Sequence, residues 1–171
     1  MTTLKLSTKG STGFKTMRKI LVVCTGNLCR SPMGESLLQK ALADRGEDNI
    51  LVESAGVIAR DGYPPAQMAV QEMKAHGLDI SAHRTSPLTK EAINEAEMVL
   101  VMERAHLYAA LSLAPEASEK VLLMGDFAQD LETDEIDDPY GGNPDGFKET
   151  FAIIKQAAEN LAAQIAEKKF P

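Results

Sequence analysis

The sequence predicts a three-layer α/β sandwich: a parallel sheet of four strands with helices on both faces. Three observations carry this. From Lys19 onward, short apolar runs alternate with stretches of helical period. The first run, "KILVV", is continuous rather than alternating, as a strand covered on both faces requires. Glycine and proline fall at the ends of the helical stretches, where breakers belong.

The elements follow in order. Residues 19–23 form the first strand. Pro32 suits a first helical position, with Ser31 before it as the N-cap. Met33, Leu37, Leu38, Ala41 and Leu42 make one apolar face of that helix, and Gly46 fits its end. "NILVESAG" reads as the second strand. In "PPAQMAVQEMKAHG", Ala66, Ala69, Val70 and Met73 recur at helical spacing and Gly77 marks the stop. "TKEAINEA" predicts a shorter helix, "EMVLVM" a third buried strand, "ERAHLYAALSL" a helix and "EKVLLMGD" the fourth strand. The last helix is the longest, with Phe147, Phe151, Ile154, Ala158, Leu161 and Ile165 on one stripe.

Residues 1–17 are polar and show no sustained period. They read as a flexible tail, with Met17 a candidate alternative start, leaving 18–171 as a single domain. A length of 171 residues, 44% of them hydrophobic and 25% charged, suits one globular domain. The formal charge of −7 opposes broad binding of nucleic acid or an anionic membrane, because the net field repels both. No apolar run approaches the roughly 18 residues of a membrane span, and the N-terminus lacks the apolar core of a signal peptide. Two cysteines spaced C-x4-C give no disulfide framework, which predicts a reducing, cytoplasmic setting.

In an open parallel sheet, ligands bind beyond the carboxyl ends of the strands, near helix N-termini. "CTGNLCRS" occupies that place after the first strand. The backbone N–H groups of Thr25, Gly26, Asn27, Leu28 and Cys29 can converge on one anion there, with the helix dipole adding positive potential. Gly26 and Asn27 tolerate the left-handed backbone angles such a cradle needs. Arg30 adds a planar fork suited to two oxygens of a phosphate. The same field favours thiolate at Cys24, drawing it below the free value of about 8.5, and Ser31 can donate a hydrogen bond to it. These are the parts for attack on phosphorus. G-x-x-x-x-G-K-[ST] is absent, and the C-x4-C pair has no second Cys/His pair nearby, so neither an ATP loop nor a zinc site is expected, and no metal or cofactor is required. A departing oxygen needs a proton, and "EIDDPYGG" offers Asp137 and Asp138 to supply it.

"VCTGNLCRSP" resembles the signature loop of the low-molecular-weight protein-tyrosine phosphatases, C-x5-R-[ST] close to the N-terminus. The resemblance extends over about residues 18–168, through "SAG" at 54–56, "HG" at 76–77, "AHRTSPLT" at 82–89 and "DPYGG" at 138–142. It implies a flavodoxin-like, doubly wound sheet in the order 2-1-3-4. It implies that Cys24 is the nucleophile, that a phosphocysteine forms, and that Arg30 and the loop amides hold the phosphoryl oxygens. The family places its general acid and base immediately before Pro-Tyr, which is Asp138; the charge of Asp137 beside it would help keep that carboxyl protonated. By the same resemblance Asn27, Ser31, Ser54 and His83 brace the loop, Tyr140 flanks the cleft, and Cys29 can form a reversible disulfide with Cys24. The implied partner is a phosphorylated protein, and a cognate tyrosine kinase is compatible with it.

Many family members carry an aromatic residue between "SAG" and "YPP", where this chain has "VIARDG", with Ile58, Ala59 and Arg60 and no aromatic. That predicts altered recognition of a phosphotyrosine ring. Protein-arginine phosphatases of the same fold are the alternative. They carry a small threonine where this loop has Leu28, and a bulky apolar group there crowds a guanidinium and suits an aromatic ring. Thioredoxin-linked arsenate reductases need two further cysteines to relay a disulfide. An inactive phosphate-binding module would have no use for Cys24, Arg30 and Asp138 together.

Overall fold

The computed structural model describes residues 16–169. The expected tail therefore lies outside the described residues except for Thr16 and Met17, which are exposed. In chain order the elements are β1 (Arg18–Cys24), α1 (Arg30–Ala43), β2 (Ile50–Gly56), α2 (Gln67–Ala75), α3 (Lys90–Glu95), β3 (Met98–Val101), α4 (Arg104–Leu113), β4 (Val121–Leu123) and α5 (Pro144–Ala166). The strands form one parallel sheet in the order β2-β1-β3-β4, as expected.

Strand side chains alternate between faces, and here both faces are covered. Ile20, Val22 and Cys24 of β1, with Met98 and Leu100 of β3, pack into one core together with α1, α2 and α5. Leu21, Val23, Val99 and Val101 point the other way, into a second core beneath α3 and α4. That is why the central runs are apolar at every position. β2 is an edge strand, and Gln39 of α1 covers its backbone: Gln39 Nε2 donates to Ile50 O at 3.1 Å, and Val52 N–H donates to Gln39 Oε1 at 2.9 Å. α5 opens with Asn143 accepting from Gly146 N–H at 3.1 Å and Pro144 in its first turn, then buries the predicted stripe from Phe147 to Ile165.

Three boundaries differ from the sequence reading. α1 begins at Arg30, with Cys29 in the cap position and no side-chain cap, so Ser31 lies inside the helix and is not its N-cap. The serine hydroxyl is spent elsewhere, in a buried network described below. The second helix starts at Gln67, because the backbone of Ala66 is not helical, with φ −58° and ψ 137°, and its N–H is tied to Leu28 O at 2.9 Å. β4 stops at Leu123, and Met124–Phe127 turn into a 3-10 helix. Gly125 there packs against the backbone of Asp134; a Cβ atom would sit 2.1 Å from Asp134 O, closer than any real contact.

Candidate active site

β1 delivers Cys24 to the carboxyl edge of the sheet, directly opposite Gly56 of β2. The next five residues make a tight turn before α1 begins. Its carbonyls are engaged from outside: Cys24 O accepts from Val57 N–H, Thr25 O from Ile58 N–H and Leu28 O from Ala66 N–H, at 2.9 to 3.0 Å. Asn27 O faces His83 Nε2 at 3.2 Å. In a trans peptide the N–H points opposite the C=O, so the amides of Thr25, Gly26, Leu28 and Cys29 turn to the other side. Pro32 has no N–H and that of Met33 donates to Cys29 O, so Arg30 and Ser31 supply the N–H groups of α1 left without an intrahelical partner. Together they are the groups that an anion in the turn would meet.

The turn is possible because of Asn27 and Gly56. Asn27 has φ 56°, left-handed, and is fully buried. Its side chain locks that conformation: Nδ2 donates to Ser31 Oγ at 2.8 Å and Ser54 Oγ at 3.0 Å, and Oδ1 accepts from Ser86 N–H at 2.8 Å. Gly56 leaves the space. A Cβ there would stand 2.7 Å from Asn27 N and 2.8 Å from Gly26 C, so any larger residue would push the turn outward.

Cys24 and Cys29 are both buried free thiols. Cys24 Sγ lies 3.0 Å from Ser31 Oγ. Cys29 is different in character: burial, helped by the nearby Cys24 and Asp138 and opposed by Arg30, pushes its thiol up to about 12. Arg30 is 1% exposed, and both its terminal nitrogens have protein partners. Nη1 donates to Ile136 O at 2.8 Å and pairs with Glu103 Oε1 at 3.0 Å; Nη2 reaches Thr25 Oγ1 at 3.3 Å and Asp138 Oδ2 at 3.4 Å. A buried guanidinium needs such satisfaction of its donors to be tolerated at all.

Asp138 arrives from the segment between β4 and α5, where Tyr140 N–H donates to its Oδ1 at 3.0 Å. Of the two adjacent acids, Asp138 lines the cavity and Asp137 does not. That cavity has a volume of about 520 Å³. Cys24, the cradle residues Thr25, Gly26, Leu28 and Cys29, Arg30, Asp138 and Tyr140 all line it, so the structure gathers the motif and the distant "DPY" segment at one place. Asn27, Ser31, Ser54 and His83 stand behind it, as the resemblance implies.

Several contributors were not legible in the motif. Ser54 Oγ donates to the carboxylate of Glu35, and His83 Nδ1 lies 3.8 Å from the same group, so Glu35 anchors the bracing residues. It sits four positions after Ser31, on the same helix face, which is the signal that could have found it. Glu103 caps α4 and His106 lies in its first turn, three residues on; they reach Arg30 and Thr25. Tyr63 is 52% exposed on the cavity wall. The stretch "VIARDG" has no aromatic, but Tyr63, three positions beyond Arg60, puts one on the cavity wall. Buried Thr85 clamps that loop, since Tyr63 N–H donates to Thr85 Oγ1 at 2.9 Å, Thr85 N–H to Tyr63 O at 2.8 Å and Gly62 N–H to Thr85 O at 2.8 Å.

Fold and cavity together define an α/β protein that presents a C-x5-R loop at the carboxyl edge of a parallel sheet. A family model described as low molecular weight phosphotyrosine protein phosphatase matches residues 19–170, and the chain belongs to that family. It is 38% identical over 149 residues to EpsP of Ralstonia solanacearum, named a probable low molecular weight protein-tyrosine-phosphatase, covering 87% of this chain and 97% of that protein. Wzb of Vibrio vulnificus, solved in complex with benzylphosphonate, matches with a TM-score of 0.77 and 36% identity, over 86% of this chain and 99% of that one. The YwlE arginine phosphatase of Geobacillus stearothermophilus matches with a TM-score of 0.79 and 32% identity, over 89% and 95%.

Proposed function

We propose that the protein hydrolyses phosphotyrosine on other proteins through a phosphocysteine intermediate. The observation that carries this reading is the convergence of Cys24, Arg30 and Asp138 on one cavity floored by turned-in amides. The Cys24 thiolate attacks phosphorus in line, forming an S–P bond as the P–O bond to the tyrosine breaks. Ser31 donates to the sulfur, and Asp138 gives its proton to the departing phenolic oxygen. The ionised Asp138 then takes a proton from the water that attacks the phosphocysteine, releasing inorganic phosphate and the thiolate. Arg30 and the cradle amides hold the phosphoryl oxygens through both steps, and this electrostatic positioning is the largest contribution. Every proton and electron pair is accounted for by these residues and water, so the reading needs no cofactor.

The proposed substrate is a phosphorylated protein that presents its side chain to the cleft, with a cognate tyrosine kinase as a partner in the same cycle. Among the described residues no helix is long and apolar enough to cross a membrane, and the two free thiols fit a reducing compartment. We propose a cytoplasmic location, where thiols stay reduced. The catalytic unit is residues 18–171; a chain begun at Met17 should keep full activity.

Arginine phosphatase activity is the second reading, favoured by the likeness to YwlE. Leu28 on the cavity wall weighs against it, since its branched side chain takes the room of a polar guanidinium, whereas Tyr63 and Tyr140 offer ring faces to a phenyl group. Arsenate reduction would need relay cysteines beyond the two in the sequence. The deciding experiment compares phosphotyrosine, phosphoarginine and phosphoserine peptides side by side. Preference for phosphotyrosine is expected; preference for phosphoarginine would overturn the substrate, and no turnover of any would overturn the enzyme.

A further inference from the structure

His106 is the third residue of α4, and its ring closes the start of that helix. The backbone N–H of Glu103 donates to His106 Nδ1 at 3.2 Å. A backbone N–H can only donate, so Nδ1 carries no hydrogen and the ring proton resides on Nε2. Nε2 lies 2.8 Å from Thr25 Oγ1 and 3.4 Å from Glu103 Oε2; the shorter contact is the hydrogen bond, with the imidazole donating to the threonine. Arg30 Nη2 donates to the same threonine oxygen at 3.3 Å. Both lone pairs of the hydroxyl are therefore taken. Among the described residues the hydroxyl makes no further hydrogen bond, so its own proton has no protein acceptor, and Thr25 lines the active-site cavity.

We propose that the Thr25 hydroxyl is a catalytic residue that donates a hydrogen bond to a phosphoryl oxygen, and that His106 is the positioning residue that aims it; this rests on the phosphatase reading above. An O–H whose oxygen already accepts from an imidazole and a guanidinium is polarised, and a donor to an anionic oxygen is the place where that polarisation counts. Glu103 joins the two supports, holding Arg30 Nη1 at 3.0 Å while its other oxygen faces the imidazole. The ring must be neutral for this arrangement. Burial and the charge of Arg30 lower its pKa, against the opposing pull of Glu103, Asp138 and Glu135. Thr25 keeps its proton throughout, and no bond to it forms.

The test compares Thr25→Val, Thr25→Ser, His106→Asn and the Thr25→Val/His106→Asn pair on an aryl phosphate. Asparagine at 106 keeps an acceptor for the Glu103 N–H but is too short to reach Thr25. Thr25→Val should lower kcat about 10- to 100-fold, while Thr25→Ser retains most of it. His106→Asn should lower kcat in the parent and add nothing in the Thr25→Val background. Unchanged kcat in Thr25→Val, or losses that multiply in the pair, would overturn the inference. Inorganic phosphate binding, measured calorimetrically in a Cys24→Ser background, separates the two claims. There Thr25→Val should weaken phosphate, and equal affinity would overturn the role of Thr25 whatever the turnover assay shows. A parent protein inactive on every phosphate ester would instead sink the phosphatase reading.

Discussion

The cradle at residues 24–31 and the rim at residues 58–63 and 138–140 face the same cavity, yet they are built in opposite ways. In the cradle, Asn27 and Ser31 are fully buried and every polar atom of the Asn27 amide is committed. On the rim, Ile58 is 75% exposed, Tyr140 64% and Tyr63 52%. Buried polar networks are costly when half satisfied, so the cradle is specified as a unit and tolerates little. Rim side chains answer mainly to whatever enters the cleft. On the proposed mechanism the cradle and Asp138 carry the chemistry, and the exposed rim side chains meet the rest of the substrate.

The comparison is broken most severely at Arg30. Arg30→Lys leaves a point charge that cannot serve Ile136 O, Glu103 and Thr25 together, and leaves a partly buried carboxylate without its fork. A fall of about 10²- to 10³-fold in kcat/KM is expected from steady-state kinetics. Asn27 sharpens the contrast. Asn27→Gly keeps the left-handed backbone and loses the side-chain bonds, costing about 2–3 kcal/mol in denaturant unfolding. Asn27→Ala loses both and should be worse by about 1 kcal/mol. Equal losses would show that the backbone angle carries no strain.

The rim predicts a different signature. Tyr63→Ala should raise KM for an aryl phosphate about 3- to 10-fold with kcat and unfolding midpoint nearly unchanged, since ring contacts are worth about 0.5–1.5 kcal/mol. Leu28→Thr, at the boundary of the two regions, should shift the ratio of phosphoarginine to phosphotyrosine turnover upward. The effect at Cys29 is absent at neutral pH and emerges only in alkali. Its thiol is held near 12 when folded against 9.0 ordinarily, so the folded state keeps a proton that the unfolded chain releases above pH 9. Stability should therefore fall as pH rises from 9 towards 12, and Cys29→Ala should flatten that slope in urea titrations.

The same division explains what could be read from sequence. The cradle was legible because its chemistry is packed into contiguous positions, and a cysteine, a left-handed asparagine, an arginine and a serine between a strand and a helix have few other uses. The parallel sheet covered on both faces was legible from uninterrupted apolar runs, and its strand order came from the family resemblance. Ser31 was misread because Ser-Pro ordinarily starts a helix, while here its hydroxyl is drawn back to Cys24 and Asn27. Glu35, Glu103 and His106 escaped notice because their role depends on a tertiary meeting. Glu103 and His106 do stand at cap spacing, but with a glutamate at the cap and a histidine three later, not the usual Ser/Thr and Glu. Tyr63 was passed over because one exposed tyrosine beside two prolines looks like any turn.

The central claim is that sulfur from Cys24 becomes bonded to phosphorus during turnover. Acid-quenching Asp138→Ala with an aryl phosphate and mapping the phosphoryl group by mass spectrometry tests it directly. The adduct should sit on the peptide carrying Cys24 and vanish in Cys24→Ser. A phosphoryl group on another residue, or continued hydrolysis by Cys24→Ser, would contradict it.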